Sequence, residues 1–214
     1  MPTTLALLRD RVEQTLSDTG NTIWSTTDLD EAIRIALDEY TQVSPHHAIA
    51  TLTLSAAGRE ISLTSITALL HVLRVWWKYT STDPEYPPQW REFEQWPGPL
   101  LFINDGIEPA SGDVVRIFYT ARHTLNGLDS ATATTLPDEH VSLIVAGAAG
   151  QAALSYAQAM SDRLTVDGWT SKRFTDYANL KLQQFTDGLR RIARQHAAQS
   201  SGIAPAYPLD RWDQ

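Results

Sequence analysis

A chain of 214 residues, 43% hydrophobic and 20% charged, has the length and composition to bury a core, which excludes wholesale disorder. The absence of cysteine removes disulfides, thiolate nucleophiles and cysteine-based zinc sites together. A net charge of −8 argues against broad binding of nucleic-acid phosphates, which draws on clustered Lys and Arg.

From the N-terminus, Met1 to Gly20 carries Arg9, Asp10, Arg11, Glu13 and Asp18 among its apolar residues, so no signal peptide is expected. Leu5, Leu8, Val12 and Leu16 recur at steps of three and four, predicting a first amphipathic helix capped by Thr3 or Thr4 and stopped by Gly20. Ser25-Thr26-Thr27-Asp28 has capping-box spacing, in which hydroxyl and carboxylate satisfy orphan backbone donors. Leu29, Ile33, Ala36, Leu37 and Tyr40 mark one face of the helix that follows, which ends before Pro45.

The period then changes to two. Ala50, Leu52 and Leu54 alternate with Thr51, Thr53 and Ser55, and Ile61 and Leu63 resume the pattern beyond Ala57-Gly58, predicting a β-hairpin. Leu70 to Tyr79 reads as a strand with Val72, Arg74 and Trp76 on one side and Leu73, Val75 and Trp77 on the other. Asp83 to Pro99, with Pro84, Pro87, Pro88 and Pro97, reads as a loop holding Trp90, Phe93 and Trp96. Leu100 to Ile103 and Val114 to Tyr119 flank a turn-forming stretch as a further strand pair.

Pro137, Asp138 and Glu139 suit the first turn of a long helix. The helix is rich in Ala and Gly from Ala146 to Ala153, with Ala148, Ala149 and Ala152 expected at a close helix contact. Val141 to Met160 has membrane-spanning length, but Gln151, Ser155 and Gln158 interrupt it and favour close helix packing instead. A last helix from near Thr170 places Phe174, Ala178, Leu182, Phe185, Leu189 and Ile192 on one stripe. Between Thr170 and Gln199 six basic residues stand against two acidic ones, an asymmetry that suits self-association as well as a solvated basic face. Beyond Ser200 a Ser-, Gly-, Ala- and Pro-rich tail carries Tyr207, Leu209 and Trp212 as isolated anchors.

The expected fold class is α+β: a bundle of about four helices with an inserted antiparallel β-rich segment and an extended tail. Its parts are a helix pair over 1–45, the β-rich segment over 46–136, the long helices over 137–199 and the tail over 200–214. Candidate chemistry is sparse. The adjacent His46 and His47 point apart in an extended segment, and His123 and His140 lack metal-ligand spacing. There is no Gly-x-Ser-x-Gly turn and no Gly-rich phosphate loop, and Asp30-Glu31 and Asp138-Glu139 sit at helix starts, where the dipole explains them. Trp76, Trp77, Trp90, Trp96 and Trp169 read as core and interface anchors, with Trp90, Phe93 and Trp96 as a contact surface.

The short first helix, Trp24 to Asp30 leading into Leu29-Asp30-Glu31-Ala32-Ile33, and Leu136-Pro137-Asp138-Glu139-His140 opening an Ala-rich helix resemble the head-to-tail connector, or adaptor, proteins of tailed bacteriophages. The resemblance implies a virion structural protein of the neck, made in the bacterial host cytoplasm and without catalysis or cofactor. It implies a homo-oligomeric ring, usually of twelve copies, that meets the portal protein and a tail-side protein while double-stranded DNA passes through its channel. On that reading Tyr207, Leu209 and Trp212 are portal anchors, and Trp90, Phe93 and Trp96 meet a tail-side or neighbouring chain. A stopper or tail-completion protein, a small hydrolase whose carboxylates meet only in space, and a monomeric helical interaction module remain open alternatives.

Overall fold

The computed structural model describes residues 3–82, 88–106, 108–161 and 168–201, and divides the chain into two units, Met1–Ser44 with His123–Gln214, and Pro45–Arg122. The fold is α+β, with four α-helices and two antiparallel sheets among the described residues.

The first unit is helical. Helix α1 (Leu5–Leu16) starts where the Thr4 hydroxyl accepts from the Leu7 N–H, and stops at Ser17, not at Gly20. The reason is local: Ser17 takes the left-handed conformation at φ 58°, and the Ser17 and Asp18 N–H groups return to the carbonyls of Gln14 and Glu13. Helix α2 (Thr26–Val43) opens with the capping box read from the sequence, Ser25 and Asp28 each closing on the other's backbone N–H. A 3₁₀ turn (Asp138–His140) leads into α3 (Val141–Ser161), and α4 follows over Gly168–Ser201. No helix among the described residues is long and apolar enough to cross a membrane.

Small residues set the approach of α3 to α4. A Cβ added at Gly147 would lie 2.9 Å from the Phe185 ring, and one at Gly150 would lie 2.8 Å from Leu182 Cγ and 3.1 Å from its backbone nitrogen. Ala148, Ala149 and Ala152 are buried in the same core, with Leu8, Val12, Leu29, Ile33 and Tyr40 from α1 and α2. The Trp24 indole N–H donates to the Ala152 carbonyl at 3.0 Å, tying the α1–α2 loop to α3.

Residues 123–136, expected to close the β-rich segment, belong instead to the helical unit. Leu125, Leu128 and Leu136 enter the helical core, and the Leu5 N–H donates to the Asn126 carbonyl at 2.9 Å. Threonine hydroxyls do the work of a sheet there: Thr135 accepts from the Thr124 N–H at 2.8 Å and Thr134 from the Asn126 N–H at 3.0 Å.

The second unit contains two sheets around one core. A four-stranded sheet orders β1 (His46–Thr53), β7 (Val114–Ala121), β3 (Leu69–Trp77) and β4 (Trp90–Arg91). A three-stranded sheet orders β2 (Glu60–Ser62), β6 (Leu100–Ile103) and β5 (Phe93–Trp96). The predicted hairpin of β1 with β2 does not form, and neither does a β6–β7 pair. Instead β1 pairs with β7 from His46↔Ala121 to Thr53↔Val114, and β2 pairs with β6. The long β1–β7 register places Ala50 and Leu52 with Val115 and Ile117 on the core side, a match that the short β2 does not offer. The Pro-rich stretch is likewise not all loop, since β4 and β5 arise from it. Ile61, Leu63, Leu101 and Ile103 from the smaller sheet complete the core with Val72, Val75 and Trp77.

Candidate functional site

In β3 the alternation read from the sequence is broken between Val72 and Arg74, where the pairing with β7 shifts register. Val72 therefore joins the core with Val75 and Trp77, whereas Arg74 and Trp76 lie on the other face of the sheet. Pairing then assembles two cross-strand rows on that outer face, Ile49–Phe118–Arg74 and Thr51–Arg116–Trp76–Trp90.

The rows form one cation–aromatic network. Trp76 meets Tyr79 and Trp90 edge to face, with centroids 5.1 and 6.1 Å apart, and Trp90 meets Phe118 at 5.5 Å. The Arg74 guanidinium lies 5.2 Å from the Trp90 ring centre, and that of Arg116 lies 4.6 Å from Tyr79 and 5.7 Å from Phe118. Such contacts contribute about 0.5–2 kcal/mol each, depending on solvent exposure. Neither arginine has a carboxylate partner among the described residues, and Arg116 Nε and Trp76 Nε1 are buried donors without an acceptor there. Exposed apolar side chains share the face: Ile49 is 51% exposed and Trp90 44%.

The expected contact surface of Trp90, Phe93 and Trp96 does not gather in one place. Trp90 belongs to the network on the four-stranded sheet, while Phe93 is half-buried against the core between the sheets. Trp96 stacks on Phe102 of the smaller sheet at 4.7 Å. Arg74, Arg116, Tyr79, Phe118 and Ile49 are not among the contact residues that the sequence points to. The available signal was the Arg-x-Trp and Arg-x-Phe alternation of β3 and β7, which becomes a surface only once their pairing is known. Tyr207, Leu209 and Trp212 lie outside the described residues.

Elsewhere several ionisable groups have structural partners. Asp18 accepts from the Thr22 hydroxyl at 2.5 Å and from the N–H groups of Thr22, Ile23 and Trp24, which together hold its carboxyl down at about 2. Arg34 grips Asp129 with two hydrogen bonds of 3.0 and 2.7 Å and also pairs with Glu31, and it lowers the Asp129 pKa. Arg9 holds Asp30 in the same two-pronged way. His123 is buried between the Ser44 carbonyl, 2.9 Å from Nε2, and the Thr135 hydroxyl, 3.1 Å from Nδ1. His140 Nδ1 lies 2.7 Å from the Tyr40 hydroxyl, and burial raises the Tyr40 pKa. No group of three or more His, Asp or Glu suited to a metal ion occurs among the described residues. A groove of about 590 Å³ lies along α3 and α4 and has Glu139 as its one carboxylate among the described residues, beside His140 and Arg191.

Several carboxylates are thus held by capping and ion pairs, and the β unit carries an arginine–aromatic face. The family model for the SU10 adaptor protein matches residues 3–207, and the chain belongs to that family. It is a head-to-tail adaptor, a structural protein of the virion neck. No curated protein matches it. Among solved structures, it is similar to a chain from the neck of an empty gene transfer agent particle computed with C6 symmetry, at 17% identity over 77% of this chain and 79% of that one, with a TM-score of 0.32. A chain from the virion of a native gene transfer agent particle matches at 16% identity over 80% and 86%, also with a TM-score of 0.32.

Proposed function

We propose that this adaptor works as one subunit of a closed ring, of twelve copies, placed between the portal protein and a tail-side component, with double-stranded DNA passing through the channel unread. The observation that carries this reading is the adaptor family match over 3–207, which takes in both units and the start of the tail. The net charge of −8 is consistent with DNA passing without adhering. The subunit contributes no catalytic step and needs no cofactor, and it is made in the bacterial host cytoplasm before joining the virion. Ala148, Ala149 and Ala152 serve as the close-packing side of α3. Tyr207, Leu209 and Trp212 serve as portal anchors, and Trp90, Phe93 and Trp96 as contacts to a neighbouring or tail-side chain.

Electron microscopy of the purified full chain tests the ring, and a pull-down with the portal protein tests the anchors. Closed rings of one symmetry support the first proposal, and a deletion of 204–214 that leaves melting unchanged but weakens portal capture supports the second. Monomers at all concentrations contradict the ring, and equal capture by the truncated chain contradicts the anchors.

A further inference from the structure

We infer that the outer face of the four-stranded sheet, centred on Arg74, Arg116 and Trp90, is the subunit contact of the ring and receives the acidic α1–α2 surface of a second copy. The inference rests on the ring reading above and names the surface that closes it.

Three observations select the occupant. First, the face combines arginine, tryptophan and exposed aliphatic side chains, the composition of the centre of a protein interface. Second, among the described residues its two guanidinium groups lie against rings and not against carboxylates, so each retains N–H donors for an acidic group brought from outside. Arg74 also covers Trp90, and the rings meet edge to face, which leaves no flat platform on which nucleic-acid bases would stack. The face therefore suits protein carboxylates better than a nucleic acid. Third, the chain itself supplies acidic groups: residues 1–44 hold eight acidic against three basic residues, of which Arg9 pairs with Asp30 and Arg34 with Glu31, while Asp18 and Asp28 cap backbone N–H groups. Asp10 on α1 is exposed, with Glu13 one turn further along. A basic patch meeting an acidic patch at a different place on the molecule gives a heterologous contact, which closes into a ring when the rotation permits.

The test uses the full chain. Native mass measurement and sedimentation velocity compare wild type with the double variant Arg74→Glu/Arg116→Glu and with Trp90→Ala, and circular dichroism checks that each folds. The expected result is subunit association weakened about tenfold or more in the double variant, less in Trp90→Ala, with both melting near wild type. Because the double variant keeps its acidic surface, adding it to wild type should cap open chains and shorten assemblies at less than one equivalent. Restored assembly on adding Asp10→Arg and Glu13→Arg to the double variant would support the contact strongly. If wild type forms rings and the double variant forms them equally well, this face is not the contact, although the ring reading stands. If wild type does not associate at any concentration, the ring reading fails and takes the contact with it. If the double variant assembles normally but loses binding to portal protein, to a tail-side protein or to duplex DNA, the face belongs to that partner and the inference is overturned.

Discussion

Two arginines of the helical unit and two of the β unit are held in opposite ways. In the helical unit Arg9 and Arg34 close on Asp30, Asp129 and Glu31, so each guanidinium has its counter-charge in the same unit. In the β unit Arg91 pairs with Asp105, but Arg74 and Arg116 face aromatic rings on a surface that also exposes Ile49 and Trp90. An arginine with its carboxylate in place adds little to recognition, whereas one that lies against rings, with no carboxylate among the described residues, suits the contact proposed above. The difference teaches where to look for stability and where to look for assembly.

The largest expected effect separates the two faces of one sheet. Trp77→Ala should cost about 3–5 kcal/mol, because the ring is fully buried and its N–H donates to Asp113 at 2.9 Å. Trp90→Ala, on the opposite face, should cost less, about 1–2 kcal/mol, because the ring is 44% exposed. Chemical denaturation of both variants measures the contrast, and equal losses would erase the distinction between core face and contact face. Next, Leu125→Ala should cost about 2–5 kcal/mol and destabilise the helical unit, since Leu125 is in its core. Hydrogen exchange reads which unit opens, and opening confined to the β unit would return residues 123–136 to the strands.

Smaller again is Gly150→Ala, at about 1–3 kcal/mol, because its methyl group meets both the side chain and the backbone of Leu182. Ala149→Leu should act in the same direction by crowding the buried side of α3. An unchanged melting temperature in both would mean that α3 and α4 have room to separate. The last effect is a pH dependence. The Asp18 carboxyl sits at about 2, below its ordinary 3.8, so its contribution to stability is complete above about 3.8 and is lost as pH falls towards 2. Melting of wild type should drop across that window relative to Asp18→Asn, and parallel curves would show that the loop does not use the charge.

The sequence made the helices legible because their signals are local. The Ser25–Asp28 box, the apolar steps of α1 and α2 and the glycines of α3 act within a turn or two of themselves. Strand partners were not legible, because β1 and β7 are separated by most of the unit and only their complete register shows that they match better than nearer candidates. Residues 123–136 misled for another reason. Three leucines scattered among threonines look like the end of a β segment until the threonine side chains are seen satisfying the backbone. The contact face was half visible: Arg74 and Trp76 were correctly expected to share a side, but Arg116, Phe118 and Ile49 join them only through pairing.

Native mass measurement of the wild-type chain at low salt shows whether this adaptor assembles through its own copies. One closed species is expected, with a mass that is an integer multiple of 23.8 kDa, twelve for the proposed ring, dissociating as salt screens the arginine contacts. A 23.8 kDa monomer persisting at every concentration and salt level would contradict it.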